Sequence, residues 1–158
     1  MSATARFKAW IGDLEAAFGE VASTALGLAA FQVTARGQPV VAGWQGAYLG
    51  LVGPAGAVQI GVAGEEPACQ ALAKGLMGMT PADPALEPAE MADAVCEIVN
   101  IVAGAFKGRV RDRAPSLQMG LPTFFRGCVQ PTERTAVAVV EVRAGDVAAA
   151  LLLVHPRE

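Results

Sequence analysis

The stretch MADAVCEIVNIVAGAFKGRV, residues 91–110, carries the reading of the whole chain. On a helical wheel at about 100° per residue, Met91, Val95, Ile98, Val102 and Phe106 fall on one side. Asp93, Glu97, Asn100, Gly104, Lys107 and Arg111 fall within roughly 80° of one another on the opposite side. The pattern predicts an amphipathic helix from about Pro88 to Val110, with one face in a core and the other polar. Two residues on the polar face do not belong there on propensity. Asn100 is the only asparagine of the chain, and its amide competes with the backbone for hydrogen bonds in a helix interior. Gly104 costs about 0.5–1 kcal/mol against alanine and leaves a dent where another backbone or side chain can approach. An acid, an amide and a gap on successive turns of a rigid helix describe a docking surface.

Working outward, the N-terminal side reads as a first helix from Arg6 to Leu28. Phe7, Ile11, Leu14, Phe18, Val21, Ala25 and Leu28 follow three- and four-residue steps there and form a core face. Strands are expected at 31–35 and 44–52, and GPAG at 53–56 turns the chain into AVQIGVAG, whose alternating Val58, Ile60 and Val62 make a β-hairpin. Glu65, Glu66 and Pro67 open a helix to about Gly78 with Cys69, Leu72, Ala73, Leu76 and Met77 buried. A Pro-rich connection leads to the long helix. SLQMGLPTFF then reads as a strand, and RTAVAVVEVRAG and DVAAALLLVH as a closing hairpin turned at Ala144, Gly145 and Asp146.

Helix, strand and glycine-turned hairpin therefore occur twice in the same order. Glu97, Asn100 and Gly104 have counterparts at the same spacing in Glu20, Ser23 and Gly27. A diverged internal repeat accounts for this, with EEPACQALAKGLMG inserted between the copies. The alternative is that helices and hairpins in a chain rich in Ala, Gly and Val align without common origin.

Composition limits the function classes. With 53% hydrophobic and 17% charged residues over 158 positions, the chain is expected to fold as one domain, residues 1–158. A net charge of −3 without a Lys/Arg run argues against nucleic acid as a partner. The apolar stretch 10–31 is interrupted by Asp13, Glu15 and Glu20, so it is neither a signal-peptide core nor a membrane span, and a cytoplasmic location is expected. Cys69, Cys96 and Cys128 lack any metal or redox spacing and read as small buried hydrophobes. His155, the only histidine, reads as a frayed or edge-strand residue. Neither GxxxxGK[ST], GxSxG nor HExxH occurs, which leaves the commonest nucleotide, acyl-transfer and zinc-peptidase readings unsupported. No metal site of the chain's own is expected.

DAVCEIVNIVAG, residues 93–104, resembles the signature helix of the CheX, CheC and FliY group of chemotaxis phosphatases: an Asp-Ala start, Glu-x-x-Asn, then a glycine four residues on. MGLPTFFRG, residues 119–127, is similar to the apolar Leu-Pro strand that commonly follows that helix. The resemblance implies an α/β (α+β) fold with internal pseudo-symmetry, in which long helices pack on an antiparallel β-sheet of hairpins. Two-site members carry Glu-x-x-Asn on both helices. Ser23 at the asparagine position of the first copy points to one working site and a CheX-like chain. The implied activity is hydrolysis of the aspartyl phosphate of a CheY-like response regulator, with Glu97 and Asn100 catalytic and Asp93, Gly104 and Lys107 facing the partner. No cofactor of the chain's own is implied, since Mg²⁺ comes with the regulator. A homodimer is also expected, because the apolar VAVVEV and VAAALLLV segments suggest an edge in need of pairing. A non-catalytic module binding a regulator or other chemotaxis component, and a scaffold or dimerisation domain, are the alternatives.

Overall fold

The structure, a computed structural model, describes residues 3–28, 31–37, 43–54 and 56–157. In chain order the elements are α1 (Ala3–Thr24), β1 (Gln32–Gly37), β2 (Trp44–Gly53), β3 (Gly56–Gly64), α2 (Glu66–Leu76), α3 (Pro88–Arg109), β4 (Gln118–Met119), β5 (Thr123–Gly127), β6 (Thr135–Ala144) and β7 (Val147–Pro156). Both hairpins form as the sequence predicts, although Ala55 of the GPAG turn lies outside the described residues. α3 starts where expected because Pro88 occupies its first turn with Glu90, and Lys107 and Arg109 complement the dipole at its last turn.

The strands form one antiparallel sheet in the order β1-β6-β7-β3-β2-β4, with β5 also paired to β2. With the two-residue β4 set aside, exchanging β1 with β5, β2 with β6 and β3 with β7 turns β1-β6-β7-β3-β2-β5 into its own reverse, as an internal twofold requires. The axis can be located from register alone. Gly53 faces Gly56 across one turn and Ala144 faces Val147 across the other, so equivalent hairpin residues are 91 positions apart. Gly61 faces Leu152, its own equivalent, in the central β3–β7 pair. The pseudo-twofold passes between them.

Period-two alternation divides the strand residues between two faces. Leu49, Leu51, Ile60, Val62, Val140, Leu151 and Leu153 join Leu14, Phe18, Val95, Ile98, Val102 and Phe106 of the helices in the main core. Ala63, Val139, Ala150 and Leu152 form a smaller cluster of opposite parity with Trp44, Phe125, Val129 and Val137. α1 and α2 both pack against α3, which lies over β2. Gly46 is required by that hairpin, since a Cβ there would come within 2.6 Å of the Ala63 Cα.

Several expectations need correction. α1 ends at Thr24 rather than Leu28, because Gly27 takes the left-handed φ of +62° and turns the chain back on the helix end, with Leu28 N donating to Ala22 O at 2.9 Å. Within α1 the buried residues include Trp10, Ala17 and Ala22, whereas Phe7 and Ile11 are half-buried. α2 stops at Leu76 and leaves Met77 exposed. The strand expected in SLQMGLPTFF is two strands, both paired to β2, with Gly120, Leu121 and Pro122 between them. Proline has no N–H for a ladder, which explains the break. His155 is not frayed: it lies in β7 opposite Ala136 with its ring 3.7 Å from that of Phe7. Cys69 is buried and donates its thiol to the Gln45 carbonyl at 3.3 Å, and burial pushes that thiol up to about 11, but Cys128 is exposed. The segments VAVVEV and VAAALLLV are interior strands β6 and β7 and leave no open edge. Ala149–Leu153 of β7 are buried on both faces, which accounts for their unbroken apolar run, whereas β6 keeps Glu141 and Arg143 exposed on one face.

Candidate functional site

α3 is held from three sides, by α1, α2 and β2, and this fixes which of its residues can face outward. Met91, Val95, Ile98, Val102 and Phe106 are all buried, as the wheel predicts, and the buried arc is widened by Ala94, Val99 and Ala103. Phe106 meets Trp10 of α1 edge-on with ring centroids 6.2 Å apart. On the opposite face Asp93, Glu97, Gly104 and Lys107 are exposed and Asn100 is half-buried. All five predicted site residues therefore come to one face of one helix, with Glu97 and Asn100 separated by about 4.5 Å along the axis.

Neither the Glu97 carboxylate nor the Asn100 amide has a hydrogen-bond or ion-pair partner among the described residues. The amide leaves its N–H₂ donors and carbonyl acceptor available to something outside the chain. Gly104 is equally uncommitted: a Cβ built there meets nothing within 4 Å. The chain's own packing does not require glycine at that point. Cys96, beside Glu97, is half-buried, and burial, helped by the Asp93 carboxylate, pushes its thiol above the usual range.

The first-half counterpart is arranged differently. Glu20 accepts from Arg109 of α3, Nη2 to Oε2 3.5 Å, and Ser23 donates its hydroxyl back to the Glu20 carbonyl at 3.0 Å. Gly27 lies beyond the end of α1, so the third member of the predicted triplet is not a helix residue there. The sequence alignment of the two helices thus holds for two positions and fails at the third. Arg113 makes a second tie to α1, Nη2 to Asp13 Oδ2 2.6 Å. These ion pairs were not visible in the sequence, because the partners are 89 and 100 residues apart.

Among the described residues, no group of three or more His, Cys, Asp and Glu gathers in a way that could hold a metal ion. No helix among them is long and apolar enough to cross a membrane.

An antiparallel sheet whose two hairpins are related by an internal twofold, with the long helices packed on one face, defines a pseudo-symmetric CheC/CheX-type fold. The family model described as chemotaxis phosphatase CheX matches residues 46–141, a span that includes all of α3, and the chain belongs to that family. Among solved structures it is similar to the chemotaxis protein CheX of Vibrio vulnificus, at 16% identity and TM-score 0.74 over 91% of this chain and 97% of that one. It is also similar to a chain of the CheX–CheY–BeF₃–Mg²⁺ complex of Borrelia burgdorferi, at 18% identity and TM-score 0.71 over 94% of this chain and 98% of the other. A chain of the FliG–FliM complex of H. pylori matches at 12% identity and TM-score 0.65 over 99% and 94%. At these identities the likeness is one of fold. No curated protein matches the sequence.

Proposed function

We propose that the protein dephosphorylates a CheY-like response regulator by docking the polar face of α3 against the regulator's active site. The observation that carries the reading is that, among the described residues, Glu97 and Asn100 have no partner and nothing packs where a Cβ at helix-interior Gly104 would stand. A buried-partner role would have given the amide a partner, and a solvated face would favour alanine over glycine.

The chemistry asks little of the helper protein. An acyl phosphate is already reactive, so catalysis reduces to positioning and charge stabilisation. In the proposed complex the Asn100 carbonyl accepts from a water while its N–H₂ donates toward a phosphoryl oxygen; a carboxylate would repel that oxygen. The water oxygen attacks phosphorus in line, the bond from phosphorus to the regulator's aspartate oxygen breaks, and the aspartate leaves as carboxylate. Inorganic phosphate departs with the water's protons. Mg²⁺ and a lysine are supplied by the regulator. Glu97 pairs with that lysine and anchors the complex. Asp93 and Lys107 flank the contact, and Gly104 admits the regulator's loops.

The same reading includes a homodimer, formed through one of the sheet's outer strands rather than β6 or β7. Sedimentation showing only monomer at tens of micromolar would remove that part. A second reading, a non-catalytic binding module, is favoured by the similarity of fold to a chain of the FliG–FliM complex. Charging CheY-like receiver domains with acetyl phosphate, removing excess donor and following the decay of the aspartyl phosphate separates the two. Decay accelerated at catalytic amounts of this protein supports hydrolysis; tight binding with an unchanged lifetime leaves only the module.

A further inference from the structure

The end of α3 and the turn after it carry four cations at alternate positions, Lys107, Arg109, Arg111 and Arg113, and the structure divides them into two pairs. Arg109 and Arg113 turn toward α1 and are neutralised by Glu20 and Asp13. Lys107 and Arg111 are exposed and have no carboxylate partner among the described residues. They line a groove of about 260 Å³ together with Gly104, Gly108, Ser116 and Leu117.

The groove has a defined shape. One wall is bare helix backbone, because Cβ atoms added at Gly104 and Gly108 would meet nothing within 4 Å. The other wall is the segment after α3, where Ser116 is held at φ +65°, a region that costs a non-glycine residue about 1–2 kcal/mol. Leu117 is buried beneath it against Gly53 and anchors the wall. Two unpaired cations brought together in a chain of net charge −3 favour an anion between them.

We infer that this groove receives an acidic side chain of the docked regulator, its carboxylate bridging Lys107 and Arg111. The inference rests on the docking reading above and adds to it the partner's chemistry at a second point. Lys107 lies about 10 Å along the axis from Asn100, too far to share the phosphoryl group under attack. A site that binds Mg²⁺ and an aspartyl phosphate is built from carboxylates, so acidic side chains are available at its margin. Contact at this distance fixes the rotation of the regulator about the Asn100 contact, which a single anchor at Glu97 leaves free.

The test compares two double variants with the same change in net charge, K107Q/R111Q and R109Q/R113Q. The probe is a set of CheY-like receiver domains loaded with beryllofluoride and Mg²⁺, with affinity measured at about 50 and about 300 mM NaCl. K107Q/R111Q is expected to weaken binding about tenfold at the lower salt and to flatten the salt dependence, whereas R109Q/R113Q changes affinity less than twofold and lowers only the melting temperature. K107Q alone, which breaks no ion pair, carries about half of the effect on a logarithmic scale. An acidic residue of the receiver domain changed to arginine should reproduce the loss, and that loss should not add to K107Q/R111Q. Equal losses in the two double variants, no loss in K107Q/R111Q, or no receiver binding by the wild type would overturn the groove's role. Wild-type binding with normal sensitivity to K107Q/R111Q but no hydrolysis would sink the phosphatase reading and leave the groove standing.

Discussion

The two halves of this molecule share a frame and differ in what their long helices do with the same acid. In the first half Glu20 is tied to Arg109, Ser23 bonds back to its own helix, and Gly27 closes the helix from outside it. In the second half Glu97 and Asn100 have no partner among the described residues, and Gly104 sits five residues inside the end of α3. Duplication of a fold thus does not duplicate the arrangement of its polar groups. The first helix has become a brace for the second: its carboxylates hold Arg109 and Arg113, and its Trp10 supports Phe106. What distinguishes a presenting helix from a bracing one is whether its polar groups find partners inside the chain.

The largest expected effect tests the presenting helix directly. Asn100→Ala should reduce the rate of regulator dephosphorylation by on the order of 10² or more while leaving affinity for the phosphorylated regulator nearly intact, because a positioning contact is lost rather than an anchor. Its thermal unfolding should be unchanged or improved by a few tenths of a kcal/mol, as expected for a half-buried helix-interior amide that has no partner among the described residues. A variant that melts lower would mean the amide holds the fold together. One that melts normally and hydrolyses at the wild-type rate would make the asparagine incidental.

Glu97→Ala should act on both affinity and rate, each by about tenfold, since an ion pair with a desolvated lysine contributes to the ground-state complex as well as to the transition state. Single-turnover kinetics over a range of regulator concentrations separates the two contributions. An effect on rate alone would assign Glu97 to the chemistry instead of the anchor.

The two glycines of the predicted triplets should respond with opposite signs. Gly104→Ala adds a Cβ to open space in a helix interior and should stabilise the protein by about 0.5–1 kcal/mol. Gly27→Ala forces a side chain onto a left-handed residue at φ +62° and should destabilise by about 1 kcal/mol. Urea denaturation of both variants measures the difference. Changes of the same sign would return the two positions to structural equivalence.

The smallest effect belongs to the bracing helix. Glu20→Ala with Ser23→Ala should leave dephosphorylation within about threefold of wild type and cost no more than about 1 kcal/mol, the usual limit for an exposed ion pair. A still-folded double variant with a large activity loss would mean that the first half retains a site.

What the sequence made legible, and what it did not, follows the range of the interactions involved. α3 could be bounded to within one residue because Pro88, its first-turn acid and its apolar stripe are all local signals. The candidate site residues were picked out for the same reason: a lone asparagine and a helix-interior glycine conflict with local propensity, and the structure brings them to one exposed helix face. α1 was carried four residues too far because Ala25 and Leu28 keep the helical spacing and stay in contact with the core after the helix has ended, so periodicity alone could not register Gly27 as the stop. The split between β4 and β5 needed Pro122 to be weighed as a ladder breaker and not merely as part of a motif. Interior placement of β6 and β7, the paired state of Arg109 and Arg113, and the contact of His155 with Phe7 all depend on partners far along the chain, for which one sequence carries no local sign.

The register that places Gly61 opposite Leu152 also bears on how the chain reaches its fold. Each hairpin closes over a few residues, but the pair that joins the halves waits for segments 91 positions apart to meet, so its closure entropy is the larger and its formation the later step. During synthesis β3 has no neighbour on that side until residues 150–154 have left the ribosome. Val58, Ile60 and Val62 then flank an open row of N–H and C=O groups on a nascent chain, the kind of edge on which chains aggregate. Pulse-labelled hydrogen exchange during refolding would show amides beside both hairpin turns protected before those of the central pair. The reverse order would place nucleation at the seam between the halves.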